Sequence, residues 1–217
     1  MKDFSVGMAL VDYIPVMFFA VAAVILQRDF YNKMSKGAFA LFAAGTIDVF
    51  CEGALKATYK LLYATGVCDF EPLTQMFFPV QAIGFLLAGA GIVAMLCHKQ
   101  YSDNSFFAVA PVAAAPEVFT GTFLFFAFMV LGLGGMNAGF SVAGVKLKKP
   151  FAVVCFVLSF VFSLMMGYLS SKDFTEAYMN WVAQGVNILG QGALLTGTLI
   201  LHKAGLRDFQ WKEKAEE

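Results

Sequence analysis

Apolar residues in this chain come in long blocks separated by short polar clusters, and they do not alternate with polar positions. A run of about 18 or more apolar residues is long enough to cross the roughly 30 Å hydrocarbon core of a bilayer as a helix. On that basis the first span runs from Gly7 to Gln27, the second from Gly37 to Tyr63 and the third from Leu73 to Cys97. The next apolar stretch, Ser105 to Val145, is too long for one crossing and carries Pro111 and Pro116. Proline removes a helical hydrogen bond and clashes with the preceding turn. Dividing the stretch at Pro116-Glu117 gives a short fourth span, Tyr101 to Ala115, and a fifth, Val118 to Val145. The sixth runs from Pro150 to Leu169 and the seventh from Ala177 to Leu201.

The basic residues test this division. With the amino terminus outside, the inner segments carry Arg28, Lys33, Lys36, Lys99, Lys146, Lys148, Lys149, Lys203, Arg207, Lys212 and Lys214, eleven of the fifteen basic residues. That asymmetry follows the positive-inside rule. Six spans without the break would put the Lys146–Lys149 cluster opposite Arg28–Lys36. The expected fold class is therefore an all-α integral membrane protein of seven transmembrane helices, with its carboxyl terminus inside.

A weak internal similarity is present. Met17-Phe-Phe-Ala20 resembles Leu124-Phe-Phe-Ala127, and Lys36-Gly-Ala-Phe-Ala40 resembles Lys148-Lys-Pro-Phe-Ala152. Gln81 and His98-Lys99 of the third span correspond to Gln184 and His202-Lys203 of the seventh. The matches fall in the same order, which predicts a parallel three-plus-one-plus-three repeat. It divides the single transmembrane domain (1–217) into a first three-helix unit (1–100), a linker helix (101–116) and a second unit (117–217). Chance matching in a chain with 25 phenylalanines is the competing explanation.

Composition agrees: 59% of the 217 residues are apolar and 14% are charged, against about 25% charged in soluble domains. A formal net charge of zero gives no reason to expect a nucleic-acid partner. The expected surroundings are the plasma membrane lipids, with a homo-oligomer as a further partner. The first span lacks a small-x-small cleavage site and reads as retained. Cys51, Cys97 and Cys155 read as small apolar fillers within helices and Cys68 as a loop residue, with no disulfide expected.

Ionisable groups are expensive in hydrocarbon, about 2.5–3.5 kcal/mol each on the mildest scale, so those within spans are the candidate site residues. Asp48, Glu52, Lys56 and Tyr59 lie at steps of four, four and three on one face of the second span. Glu52 and Lys56 have the favourable order for an ion pair. The seventh span carries Asn180, Gln184, Asn187 and Gln191 on one face, with Trp181 near its outer end. Gln81 falls at a similar depth, as does Asn137 in the fifth span. Two carboxylates with a carboxamide ladder suit an amine or another cation; the competing reading is interhelical hydrogen bonding, about 0.6 kcal/mol per contact. Asp12 either joins this outer vestibule or faces water. Glycine stripes in the third, fifth and seventh spans read as close-packing surfaces, with a hinge as the alternative role for Gly132-Leu-Gly-Gly135. His98 and His202, at inner span ends, form either a facing pair or separate interfacial groups.

Helix count, orientation and size are similar to those of the sugar-facilitating SWEET proteins, although Phe78-Pro79-Val80-Gln81 separates by a valine the proline and glutamine that their motif joins. Microbial rhodopsins share the helix count, but no lysine precedes Lys203 in the seventh span, which excludes a retinal Schiff base. These likenesses are architectural. The function expected is a transporter or channel for a small polar or cationic solute, through a cavity between the second and seventh spans open to the outside. A membrane-embedded enzyme and a seven-helix sensor are the alternatives. Enzyme chemistry is the less favoured, because Asp48 with Glu52 is its one candidate acid–base pair and no metal-ligand spacing or cofactor motif is present.

Overall fold

The computed structural model describes residues 5–97, 122–170 and 177–209, and every regular element among them is helical. Helices α1 (Val6–Val11) and α2 (Tyr13–Phe30) form one interrupted rod, followed by a 3-10 turn, Tyr31–Lys33. Pro15 explains the interruption: it cannot donate to the Val11 carbonyl, and its ring crowds that oxygen. Helix α3 is Lys36–Ala64, α4 Glu71–Cys97, α5 Thr122–Lys146, α6 Pro150–Ser170 and α7 Ala177–Lys203. These helices overlap the first, second, third, fifth, sixth and seventh predicted spans, and α3, whose two ends both lie well inside the described residues, agrees to within one residue at each. The fourth predicted span lies outside the described residues.

Local chemistry sets the boundaries. The Ser35 hydroxyl accepts from the Ala38 amide at 3.2 Å and caps α3. Between α5 and α6, Lys148 takes a left-handed conformation (φ 54°) while the Lys149 amide reaches back to the Gly144 carbonyl at 2.8 Å. Pro150 then opens α6, where its missing N–H is of no consequence. Gly205 (φ 82°) closes α7 in a similar way and turns the chain so that Leu206 is fully buried.

The six long helices form a closed ring in chain order, with α7 returning to pack on α2. Gly45 lies against Gly84 and Ala88, and Gly91 against Ala38 and Phe42, so α3 and α4 are antiparallel. The α2–α3, α5–α6 and α6–α7 pairs are antiparallel as well. The α4–α5 pair differs: Gly132 meets Phe85, and Gly139 meets Ile92, so these two neighbours run parallel. Cys97 and Thr122 therefore stand at opposite ends of the bundle. The α7–α2 pair is parallel too, with Gly192 beside Phe18 and His202 beside Arg28 and Asp29.

Glycine contacts hold the seams. A Cβ at Gly45, Gly89 or Gly132 would run into backbone atoms of the facing helix. Gly185 meets nothing within 4 Å, so it does not share the packing role expected for the α7 glycines. Helix α5 runs unbroken through Gly132–Gly135, where Gly132 and Gly135 sit in the α4 seam, in line with the packing role expected first and not the alternative hinge.

Five of the rods are long and apolar enough to cross a membrane: Val6–Lys33, Lys36–Ala64, Met76–Cys97, Phe123–Lys146 and Pro150–Leu169. Helix α7 is as long as α4, but its carboxamides lower its hydropathy. Leu10, Ile14, Met17, Val21 and Val24 are all exposed along one edge of α1–α2. Phe151, Val154, Val157, Leu158, Val161 and Met165 are exposed along α6. Soluble proteins rarely expose contiguous apolar surface on this scale. Cys51 and Cys97 belong to the exposed surface as well; of the expected fillers, Cys155 alone is buried.

Candidate functional site

The interior of the ring is divided along its length. Near the Lys36, Lys146 and Pro150 end, Phe30, Phe42, Phe140 and Phe156 are fully buried and meet around Phe140. Phe30 stacks on Phe140 with 6.0 Å between centroids, Phe42 meets it edge-on at 6.4 Å, and Phe156 lies 5.4 Å away. Four different helices supply these rings, so that end is closed by aromatic packing.

Toward the other end the interior becomes polar. Glu52 is 3% exposed, and neither of its carboxylate oxygens has a protein hydrogen-bond partner. It lies ten residues beyond Phe42 on α3, about 15 Å further along the bundle. The expected pairing with Lys56 is not a hydrogen-bonded one: the Lys56 ammonium lies 5.9 Å from the centre of the Phe77 ring instead. Asp48 is half-buried at the α3–α4 seam, its Cβ crowding the site where Gly84 lacks a side chain. Tyr59 is buried and donates its hydroxyl to Asp69 Oδ1 at 2.9 Å.

On α7, Gln184 is buried with its Nε2 unpartnered, and Gln191 is half-buried with an unpartnered Oε1. The same stripe continues through buried Leu194, Thr198 and Leu201 at steps of three, four and three. Asn180, Asn187 and, on α4, Gln81 are half-buried. Trp181 does not belong with them: it is 48% exposed beside exposed Tyr178 and Val182, on the outer surface of the ring. Such placement suits an interfacial aromatic belt. Helix α2 packs on both α3 and α7, so the two polar faces flank it and do not form one direct seam. On α5, Asn137 is buried with Nδ2 donating to the Leu133 carbonyl at 2.9 Å and Oδ1 unpartnered.

Asp12, for which a vestibule and open water were the two expectations, follows neither. It is buried and forms an ion pair with Lys60 at 2.5 Å. The Tyr13 hydroxyl meets Thr58 at 2.8 Å one step inward. Together these contacts fasten the α1–α2 junction to α3.

A second network, at the opposite end, was not anticipated from sequence. The Asp29 side chain is wholly buried, and its Oδ2 lies 2.8 Å from His202 Nδ1. Arg28 Nε reaches Asp29 Oδ1 at 3.4 Å, and its Nη2 lies 3.0 Å from His202 Nε2. A proton on Nδ1 then serves the carboxylate, and Nε2 accepts from the guanidinium. This joins α2 to α7. His202 thus turns to Asp29, and His98 lies outside the described residues. The sequence signal was slight: an acid beside an arginine at the inner end of an apolar span looks like an ordinary interfacial pair.

Among the described residues, no group of three or more His, Cys, Asp and Glu side chains could hold a metal ion. The class defined by fold and site is an all-helical protein with five helices long and apolar enough to cross a membrane, an apolar exterior and buried polar groups. No protein family matches the chain, and no curated protein or solved structure is significantly similar to it.

Proposed function

We propose that this chain is a transporter or channel for a small polar or cationic solute, entering a polar interior from the amino-terminal side of the membrane. The observation that carries the reading is Glu52. A carboxylate this deep has neither oxygen hydrogen-bonded by the protein, and the Lys56 charge one turn away offsets only part of its desolvation; a cation, a proton or a hydrated solute supplies the rest. The carboxamides of Gln184 and Gln191 offer donors and acceptors to the same solute, and Asp48 adds a second acid one turn from Glu52 on α3. The phenylalanine cluster around Phe140 closes the far end, as expected for a pathway open on one side at a time.

The reading includes seven crossings, with the amino terminus outside and the carboxyl terminus inside. The parallel α4–α5 pair supports the odd number, since a chain leaving α4 at one end must reach the opposite end to begin α5. The same parallelism recurs between α7 and α2. Helices α2–α4 and α5–α7 therefore each follow the same down-up-down course, which supports a two-fold repeat around the bundle axis.

The test is flux into proteoliposomes across a panel of monovalent cations and small polar amines, comparing the parent with Glu52→Gln. The expected result is saturable uptake of at least one solute that falls tenfold or more in the variant, while its melting temperature stays within a few degrees of the parent. Uptake unaffected by Glu52→Gln removes the residue from the pathway. No uptake at all, with a variant that melts far below the parent, makes Glu52 a structural clamp and defeats the proposal.

A further inference from the structure

A cleft of about 350 Å³ opens on the outer face of the ring, at the end where Asp29 and His202 lie. It is lined by Val24, Tyr31 and Phe39 and by the polar groups of Arg28, Asn32 and Arg207. We propose that this cleft holds the phosphate headgroup of a phospholipid, with Arg28 and Arg207 as its cationic partners.

The cleft has the polarity profile of a lipid at the edge of a bilayer. Val24 is 66% exposed and continues the apolar edge formed by Leu10, Ile14, Met17 and Val21. An acyl chain lying along that edge brings its glycerol and phosphate to the level of Arg28, one helical turn further on. Tyr31 is 62% exposed beside it, its ring edge-on to Phe39 with 5.0 Å between centroids. Amphipathic aromatics of this kind mark the headgroup level.

The two arginines are held in place by contacts remote in sequence. Arg28 is fixed through Nε by the buried Asp29 carboxylate and through Nη2 by His202, and its side chain remains 52% exposed. Among the described residues its Nη1 has no hydrogen-bond partner. Arg207 is positioned by its backbone. The Lys33 ammonium donates to the carbonyls of Arg207 and Phe209 at 2.7 Å each, and Leu206 is fully buried. The Arg207 guanidinium is left exposed, with no protein partner among the described residues. Two planar guanidinium groups with open donor edges match phosphate oxygens better than scattered lysines do. Asp29 does not oppose the anion directly, because its charge is engaged by Arg28 and His202. Exposed Asp208 is the one acid on the adjoining turn.

The experiment measures thermal stability of the full chain in a neutral detergent, titrated separately with phosphatidylglycerol, phosphatidylcholine and inorganic phosphate. Phosphatidylglycerol is expected to raise the melting temperature in a saturable way, by about 2–4 °C or more. Arg207→Gln, which removes no internal contact, is expected to weaken the apparent affinity about fivefold, the effect of one cation near a lipid headgroup. Lys149→Gln, an exposed base elsewhere at the same end, is expected to leave the titration unchanged. Equal losses from Arg207→Gln and Lys149→Gln reduce the effect to general surface charge and overturn the site. Stabilisation by inorganic phosphate equal to that by phosphatidylglycerol assigns the cleft to a soluble anion and overturns the lipid.

Discussion

At the scale of single residues, the ionisable groups divide by whether the protein itself answers their charge. Asp12 with Lys60 and Asp29 with His202 and Arg28 are answered by partners on neighbouring helices. Glu52 is not. Removing one member of a buried pair leaves the other uncompensated, which costs about 3 kcal/mol. Lys60→Met is therefore expected to lower the melting temperature by several degrees. The double variant Lys60→Met with Asp12→Leu should recover most of that loss, as thermal unfolding in detergent would reveal; equal stability of single variant and parent would mean that the pair contributes little. Stripes at helical spacing made Asp48, Glu52, Gln184 and Gln191 legible in the sequence. Asp29 was not, because its partner His202 is 173 residues away, and no local spacing records such a contact.

At the scale of helices, seams without side chains decide how closely the rods approach. Gly132 faces the Phe85 backbone, whereas Gly185 faces open space. A methyl group at the first position has to push two backbones apart, while at the second it only improves helical preference. Gly132→Ala is expected to destabilise by about 1–3 kcal/mol, and Gly185→Ala to be neutral or stabilising by up to about 1 kcal/mol. Their relative melting temperatures check this, and the reverse order would refute the assigned seam. The helices were readable from the sequence, and the ends of α3 to within one residue, since apolar run length, serine caps and prolines are local properties. The break at Asp12 was less visible: Pro15 marks it, but apolar residues continue on both sides. The surface position of Trp181 also escaped the pattern. Its neighbour in the helical stripe is polar, and only packing shows which way the indole turns.

At the scale of the whole molecule, the ring sets topology and closure together. Cys68 is exposed in the connection between α3 and α4, and Cys97 is exposed at the opposite end of α4. With the amino terminus outside, a membrane-impermeant maleimide should label a Cys68-only variant in intact cells and a Cys97-only variant only after permeabilisation. The opposite pattern would invert the orientation. Phe140 joins rings from three other helices. Phe140→Ala is expected to cost about 3–5 kcal/mol and, under the proposed pathway, to raise passive leak through reconstituted vesicles. A stable variant with unchanged leak would place the seal elsewhere.

Hydropathy and periodicity by themselves determined that the described chain is a set of long apolar helices, roughly where they lie along the chain, and which faces carry acids and carboxamides. These follow from interactions within a helix or between a helix and its solvent. The ring order, the parallel α4–α5 and α7–α2 pairs, the aromatic closure around Phe140 and the arginine-lined cleft were decided only by tertiary structure. Each joins residues that are far apart in the chain, and in a sequence so uniformly apolar many pairings satisfy the same local pattern. Backbone approach at a few glycines and the pairing of buried Asp12 and Asp29 with Lys60 and His202 on other helices select among them.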